Sequence, residues 1–538
     1  MKRDFNAIGQ GRFDLAVVGG GVIGTGIARD AALRGIKTLL LEREDYGYGT
    51  TSRSTRLIHG GLRYLSHFDF KLVRQDLRER ETLLKIAPHL VKPLAFLLPL
   101  TSVSQRLVMA AGMQMYDRLS YDKSVPSYRH FSPQETLRLE PSLEIRGLRG
   151  SYEFHDCQVQ FPERLCVENA LSAAEAGAVM LNHTEVVGME KANGAVTTVR
   201  VKDALTKETK AVSARLIVNV AGHWANGILK MVIDHPQNEV RTTMGIHLVT
   251  RKISNHAFVL FAKSDGRLIF AIPWQDYSLI GTTDTPYSGD PDFLHASAED
   301  VAYLVRETRQ AFPSLSASDI CYTFAGLRSL IGSAGQKVSN ISRSHKLVDH
   351  ETTDGLKGLI SVLGGKMTGY RSIAEEAVDL VCVKLGINAR CTTGETPLPG
   401  APARSGEAIE KTAPGNQLSP DIVTHLNDVY GSRCSRVLQA AQEDPRGKQP
   451  LCSHSKDILA QVWQAVNEES ALTVSDFLLR RGTVGLASCQ GLDSVEVVAL
   501  EMGRMLGWSI GTWQEQARDY RFTAGLQTQF KQHMGADT

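Results

Sequence analysis

The apolar positions of residues 14–42 follow a strand–helix–strand pattern. An unbroken apolar run at 15–18 predicts a short buried strand, and a second run that ends at Glu42 predicts another. Between the two runs, the residues up to about Arg34 are typical of a helix. The order is that of a βαβ unit.

Three glycines follow the first predicted strand in G-x-G-x-x-G spacing: Gly19, Gly21 and Gly24. In such a turn, they permit a tight bend, close approach of the backbone to a pyrophosphate, and close helix–strand contact. Glu42 stands 18 positions after Gly24, where an acidic side chain accepts a hydrogen bond from a ribose hydroxyl. Together these features predict a dinucleotide-binding site rather than a tight turn in a core.

The remaining chain alternates between α/β and β-rich segments. Residues 69–87 are typical of a charged amphipathic helix, and the α/β pattern returns at 163–222. Several short apolar runs at 245–283 predict an antiparallel sheet that caps the nucleotide. A strand at Leu359–Leu363, two glycines and a helix from about Tyr370 repeat the opening pattern, so a second helix N-terminus points at a polar group.

The mixed stretch 104–119 has apolar residues at helical spacing. It is either a core helix or a helix that lies on a membrane. We expect a core helix, because apolar helical faces are usually buried.

This pattern divides the chain into two regions. Residues 14–395 are expected to form a discontinuous nucleotide-binding domain with an inserted cap, the cap mainly at about 90–160 and 230–345. A Pro/Gly/Ala-rich linker at 396–406 precedes a helical C-terminal domain at 407–538.

Composition narrows the classes of protein. Of 538 residues, 42% are hydrophobic and 22% are charged, and the net charge of +2 gives no nucleic-acid footprint. The eight cysteines include no C-x-x-C pair, and Cys452 and Cys489 stand isolated, so we expect no metal site. Scattered thiols, a polar segment at 1–13 and no apolar run of about 18 residues favour a cytoplasmic protein without a membrane span. It could still lie on a membrane surface.

Several motifs together resemble the FAD-dependent glycerol-3-phosphate dehydrogenases of the quinone-linked respiratory type. The matching stretches are VVGGGVIGTGIARDAALRG, STRLIHGGLRYL, LIFAIPWQDYSLIGTTDTPYSGDP, FAGLRSLIG, LGGKMTGYR and, near the C-terminus, TVSDFLLRRGTVGL. The resemblance implies an α/β fold: a glutathione-reductase-like FAD (Rossmann-type) domain, an inserted antiparallel substrate cap and a helical C-terminal domain. It also implies peripheral association with the cytoplasmic face of a membrane, a membrane quinone as partner and often a homodimer.

The chain departs from this family's usual pattern at four positions. His223 and Ser329 stand where proline is usual, Gly369 where threonine or serine is usual, and Ile246 where a small polar residue is usual. These differences concern the shape of the substrate pocket more than the reaction type.

Oxidation of a secondary alcohol beside a phosphate needs a base, a hydride acceptor and fixed positive charge. The chemistry and the resemblance both indicate His59 as the base, since neutral imidazole titrates in the right range, and His247 is the competing base. The expected catalytic residues are therefore His59 and Arg328. The residues expected to bind substrate are Arg63, Tyr64, His247, Arg328, Arg343 and Lys366. The residues expected to bind the cofactor FAD are Gly19, Gly21, Gly24, Glu42, Arg43, Thr51, Ser52, Gly222, Gly365, Lys366 and Thr368.

The expected reaction converts sn-glycerol 3-phosphate to dihydroxyacetone phosphate, with electrons passed to the quinone. Oxygen as acceptor, a flavin amine oxidase and a non-catalytic flavin-binding scaffold remain alternatives. The charged runs at 78–81 and 480–481 are expected to be solvated faces or ion pairs, with a membrane-surface patch as an alternative.

Overall fold

The computed structural model describes residues 1–9, 11–331, 345–402 and 418–532, apart from the side chains of Arg63, Ser66 and His67. Its strands, in chain order, are β1 (Phe13–Val18), β2 (Thr38–Leu41), β3 (Leu57–Ile58), β4 (Val91–Pro99), β5 (Arg129–Phe131), β6 (Ser151–Val159), β7 (Val179–Leu181), β8 (Thr184–Ala192), β9 (Ala195–Asp203), β10 (Thr209–Asn219), β11 (Val240–Arg251), β12 (Ala257–Phe261), β13 (Leu268–Trp274), β14 (Tyr277–Gly281), β15 (Thr285–Pro286), β16 (Ile320–Ile331), β17 (Lys346–Asp349) and β18 (Leu359–Leu363). Its α-helices are α1 (Val22–Leu33), α2 (Phe70–Ile86), α3 (Val103–Leu119), α4 (Pro133–Leu139), α5 (Pro162–Glu175), α6 (Ala225–Lys230), α7 (Ala298–Thr308), α8 (His350–Thr353), α9 (Tyr370–Leu385), α10 (Pro420–Tyr430), α11 (Cys434–Glu443), α12 (Ala460–Glu468), α13 (Val474–Asp476), α14 (Val495–Leu506) and α15 (Ile510–Leu526).

The first sheet confirms the predicted βαβ unit. Its strand order is β17–β18–β10–β1–β2–β7, and the strands from β18 to β7 run parallel. Leu15 and Val17 of β1 pack with α1, α5 and α9 on one face. Ala16 and Val18 pack on the other face with the hairpin of β8 and β9. Because both faces are covered, β1 is apolar at every one of these positions.

The second sheet confirms the predicted antiparallel cap. Its order is β15–β11–β14–β13–β12–β4–β6–β3, with β16 also paired to β11 and β5 to β6. Of these pairs, only β12 and β4 run parallel among the described residues. Alternate residues of β11 face opposite layers: Val249 packs with Trp274 and the C-terminal helices, and Leu248 packs with α7. Because layers pack on both faces of β11, apolar residues point to both of its faces.

Helix α3 packs on the core along one face only, so the prediction of a core helix is confirmed for that face and wrong for the opposite one. Only Met113 and Tyr116 are buried, whereas the side chains of Val103, Leu107 and Val108 are 58%, 67% and 65% exposed. The helix is apolar on two opposite faces, so its periodicity alone could not show which face the protein covers.

None of the described helices combines the length and the apolar character that crossing a membrane requires.

The segment after α9 packs against the first domain. Leu398 and Ala401 are buried, and the Gly400 N–H donates to Glu168 Oε2 at 2.8 Å. The part of the predicted linker beyond residue 402 lies outside the described residues.

A buried ion cluster joins the C-terminal domain to the loop after β2. The Arg481 guanidinium donates to both Asp45 carboxylate oxygens at 2.7 and 2.9 Å, and Arg480 Nε donates to Asp45 at 2.6 Å. Asp476 contacts Arg480 and His183, each at 2.8 Å. Residues 480 and 481 are therefore buried ion pairs and not a solvated or membrane-facing patch.

Candidate active site

A cleft of about 520 Å³ opens where the carboxyl ends of β1, β10 and β18 meet the cap sheet. Open α/β sheets bind their ligands at this edge. The predicted site residues that line it are Gly19, Gly21, Gly24, Glu42, Arg43, Thr51, His59, Tyr64, Gly222, Arg328, Gly365, Lys366 and Thr368. The fold thus brings together groups from the first turn, the cap and the strand before α9.

Two of the three motif glycines are required by close approaches within the turn. A Cβ on Gly19, whose φ is +117°, would lie 2.7 Å from Val220 O, and a Cβ on Gly24 would lie 1.9 Å from Gly19 O. Gly21 lines the cleft, and a Cβ at this position would meet only Thr51 Oγ1, at 3.6 Å. Gly19 and Gly24 therefore shape the turn, whereas Gly21 leaves room for a pyrophosphate beside the N-terminus of α1.

Glu42 closes one end of the cleft. Its Oε2 accepts from Gly20 N–H at 2.5 Å, and its Oε1 accepts from Glu44 N–H at 2.8 Å. Burial raises the pKa of Glu42. Each carboxylate oxygen has a second lone pair that can accept from a ribose hydroxyl.

The other residues predicted at the cofactor end have different surroundings. Arg43 lies 4.8 Å from the Trp224 ring centroid and pairs with Asp292 at 2.5 Å. Thr51 Oγ1 accepts from Val22 N–H at 3.1 Å, so it holds the start of α1. Ser52 donates to two backbone carbonyls of its own loop and is not among the residues that line the cleft.

Unpartnered polar atoms at this end fit a bound dinucleotide. Both ring nitrogens of His223 and the indole Nε1 of Trp224 are buried without a hydrogen-bond partner among the described residues, and both side chains line the cleft. Burial is the main cause that lowers the pKa of His223 to about 3, so its neutral ring offers one donor and one acceptor. Buried polar groups normally have partners, and the groups of FAD are suitable partners here. In the sequence, His223 stands out only as a departure from the family's usual proline, and no motif marks Trp224.

His59 also lines the cleft, from the loop after β3. Its backbone N–H donates to Thr368 Oγ1 at 3.0 Å, and the Thr368 hydroxyl lies 3.3 Å from the His59 carbonyl oxygen. The imidazole meets Phe270 edge-on, with ring centroids 6.2 Å apart. The contacts with Thr368 fix the loop, and the imidazole lines the cleft.

Lys366 and Tyr64 lie near this loop. The Lys366 ammonium is 3.8 Å from the Tyr64 ring centroid and 2.8 Å from Asp76 Oδ2. Asp76 is buried on α2, and burial raises its pKa to about 6 although Lys366 opposes the shift.

Arg328 projects from β16 and is held in one orientation. It donates to Asp284 Oδ1 at 3.0 Å, to Thr282 Oγ1 at 3.0 Å and to the Thr283 carbonyl at 2.9 Å. Its side chain is 20% exposed and lines the cleft. A fixed guanidinium at this position suits an anionic substrate group.

The competing base His247 lies behind the cleft wall. It is buried, stacks on Phe324 with ring centroids 5.0 Å apart, and places Nε2 3.0 Å from Thr55 Oγ1. Burial, followed by the charges of Arg328 and Arg56, lowers the pKa of His247 to about 3. It is absent from the residues that line the cleft, whereas Thr55 is present.

Two predicted substrate-binding groups cannot be located. Arg343 lies outside the described residues, and the side chain of Arg63 is not among those described.

The fold and the cleft define an FAD-dependent oxidoreductase. Residues 14–371 match the family model described as FAD dependent oxidoreductase. Residues 391–512 match the model described as C-terminal domain of alpha-glycerophosphate oxidase. The cofactor is FAD, in agreement with the cradle described above.

Similar proteins define the family more closely. A glycerol-3-phosphate dehydrogenase of Synechocystis sp. is 39% identical over 96% of this chain and 97% of its own. An aerobic glycerol-3-phosphate dehydrogenase of Staphylococcus haemolyticus is 33% identical over 87% of this chain and 86% of its own. The crystal structure of the glycerol-3-phosphate dehydrogenase from Bacillus halodurans complexed with FAD gives a TM-score of 0.79 at 28% identity, and covers 97% of this chain and 96% of that chain. The chain belongs to the FAD-dependent glycerol-3-phosphate dehydrogenase family.

Proposed function

We propose that the protein oxidises sn-glycerol 3-phosphate to dihydroxyacetone phosphate and passes the electrons to a membrane quinone. One observation carries the proposal: a single cleft is lined both by the glycine turn that would hold a pyrophosphate and by His59, Lys366 and Arg328. FAD, when bound, supplies the hydride acceptor. The cationic groups suit a phosphorylated alcohol better than an amine.

We assign the proton transfer to His59. Its imidazole lines the cleft, and its loop is fixed by two contacts with Thr368, so the ring is held where a substrate hydroxyl can approach. His247 acts at most through Thr55, because its ring does not line the cleft.

We assign the phosphate to Arg328 and Lys366. The Arg328 guanidinium is oriented by three oxygen contacts, which lowers the entropy lost when it binds an anion. Lys366 supplies a second positive charge in the lining of the same cleft. Arg63 and Arg343 remain predictions.

The exposed face of α3 supports the quinone as acceptor. Leu107, Val108 and Met115 are exposed on this helix, and Phe68 lies in the turn before α2 with 78% exposure. The basic residues Arg106 and Arg118 are also exposed on α3. An apolar helical face with basic neighbours binds the interface of an anionic bilayer, and the hydrocarbon interior of the same bilayer dissolves quinones. We therefore propose peripheral attachment through this face.

Anaerobic mixing tests the reaction. The holoprotein is mixed with sn-glycerol 3-phosphate, and the flavin absorbance is followed by stopped flow. We expect bleaching with this substrate and none with glycerol, which lacks the phosphate. A flavin that stays oxidised with sn-glycerol 3-phosphate would overturn the proposal and favour a non-catalytic flavoprotein.

A second measurement separates the acceptors. The reduced holoprotein is mixed either with a soluble quinone analogue or with oxygen, and flavin reoxidation and peroxide are both measured. Faster reoxidation by the quinone is expected. Faster reoxidation by oxygen with stoichiometric peroxide would instead identify an oxidase.

A further inference from the structure

Two cysteines that are isolated in sequence meet in the C-terminal domain. The Cys452 and Cys489 sulfurs are 3.8 Å apart although the residues are separated by 37 positions. Both side chains are partly exposed, so a small oxidant can reach them. Nothing in the local sequence marks this pair, because the contact depends on how two loops pack.

The two loops are already fixed around the sulfurs. The Ser494 hydroxyl, just before α14, donates to the Leu451 carbonyl at 2.8 Å and so ties one loop to the other. The Tyr520 hydroxyl donates to the Gln490 carbonyl at 2.6 Å, and the Ser488 N–H donates to the Tyr277 hydroxyl of the cap at 2.8 Å. A disulfide has a sulfur–sulfur distance of about 2.05 Å, so formation of the bond requires a short movement of the two side chains.

The surroundings of the two thiols differ. A hydrogen bond from the Cys489 thiol, together with the His454 and Ser455 backbone N–H groups, lowers the pKa of Cys452 to about 6. The same contact is the main cause that raises the pKa of Cys489. By contrast, burial raises the pKa of the Cys157 and Cys166 thiols. Cys452 therefore has the character of an attacking thiolate, and Cys489 that of a resolving thiol.

We propose that Cys452 and Cys489 form a reversible redox site that closes to an intramolecular disulfide when a peroxide oxidises it. The Cys452 thiolate attacks one peroxide oxygen and breaks the O–O bond, which gives a sulfenic acid and hydroxide. The Cys489 sulfur then attacks the Cys452 sulfur and releases the sulfenic oxygen as water. In sum, two thiols and one hydrogen peroxide give one disulfide and two waters. A dithiol reductant reverses the reaction by thiol–disulfide exchange.

Peptide mapping of the oxidised holoprotein tests the proposal. The reduced holoprotein is treated with one equivalent of hydrogen peroxide, alkylated, and digested without reduction. We expect a cross-linked peptide that contains both residues and is lighter by two hydrogens than its reduced parts, and the loss of two of the eight thiols in a denatured titration. Dithiothreitol should restore both thiols.

Variants separate this site from general oxidation. In Cys489→Ser, Cys452 should retain the sulfenic acid, which dimedone labels, and no cross-linked peptide should form. Cys321→Ser, which removes another partly exposed cysteine, should leave the cross-link unchanged. Oxygen added at Cys452 of the parent without a cross-link, or equal thiol loss at Cys321, would overturn the proposal. The parent peptide map decides the question even if a variant fails to fold.

Discussion

The Lys366 ammonium lies 2.8 Å from the Asp76 carboxylate, and burial nevertheless raises the pKa of Asp76 to about 6. The folded protein therefore binds a proton at Asp76 more tightly than the unfolded chain does, since an unperturbed carboxyl has a pKa of 3.8. It follows that the contribution of Asp76 to the free energy of unfolding falls as the pH rises from about 3.8 to about 6.

Asp76→Asn should remove this pH dependence. The free energy of unfolding of the variant minus that of the parent should rise by about 3 kcal/mol between about pH 4 and pH 7. Urea unfolding across that range measures it. Asp122→Asn is the control: Asp122 pairs with Arg74, which lowers the pKa of Asp122 below 3.8, so the difference for this variant should change only below about pH 4 and stay nearly flat from pH 4 to pH 7. A flat profile for Asp76→Asn would contradict the prediction.

His59→Asn should slow flavin reduction because it removes the base from the cleft. We expect a loss of about 10²–10⁴ in the rate of anaerobic reduction by sn-glycerol 3-phosphate. His247→Asn is the matched variant, and its loss should be smaller, because that ring lies behind Thr55. Should His247→Asn be the slower of the two, the roles of these histidines must be exchanged.

Arg328→Ala should weaken both substrate binding and turnover. Loss of the oriented guanidinium should reduce kcat/KM. The reduction should correspond to a loss of about 2–4 kcal/mol of transition-state stabilisation. Steady-state kinetics with sn-glycerol 3-phosphate measures the loss. Arg267→Ala, which removes a partly exposed cap arginine that is not in the cleft lining, serves as control and should leave kcat/KM unchanged. Unaltered kinetics for Arg328→Ala would remove Arg328 from the site.

Arg481→Met should destabilise the protein through the buried ion cluster. Removal of the Arg481 guanidinium leaves the Asp45 carboxylate with less compensation in a buried site, at a cost of about 3–5 kcal/mol. Arg521→Met removes a surface ion pair with Glu496 and should change stability by less than about 1 kcal/mol. Equal effects of the two changes in urea unfolding would contradict the assignment.

Aspartate at both Leu107 and Val108 should detach the protein from membranes. The two charges would oppose burial of the α3 face in the bilayer interface and repel anionic lipids. In sedimentation with vesicles that contain anionic lipid, we expect association to fall by about tenfold or more. Val383→Asp places a charge at another exposed apolar residue, on α9, and should have little effect. Dye-linked turnover in solution should stay at the parental level in both variants.

The sequence by itself determined the features that depend on local order. Within thirty residues, the sequence places the apolar run of β1, the glycine turn and Glu42 in the order of a dinucleotide-binding βαβ unit. The spacing of the short apolar runs at 245–283 likewise predicted an antiparallel sheet, because short strands joined by short turns pair with their neighbours in sequence.

Only the tertiary structure decided which residues that are distant in sequence come into contact. It turned His59 toward the cleft and His247 away from it, exposed the apolar face of α3, and buried Arg481 against Asp45. It also brought the Cys452 and Cys489 sulfurs together. Residue type and spacing are the same whichever face a neighbouring element covers, so these outcomes depend on packing that no single stretch of sequence encodes.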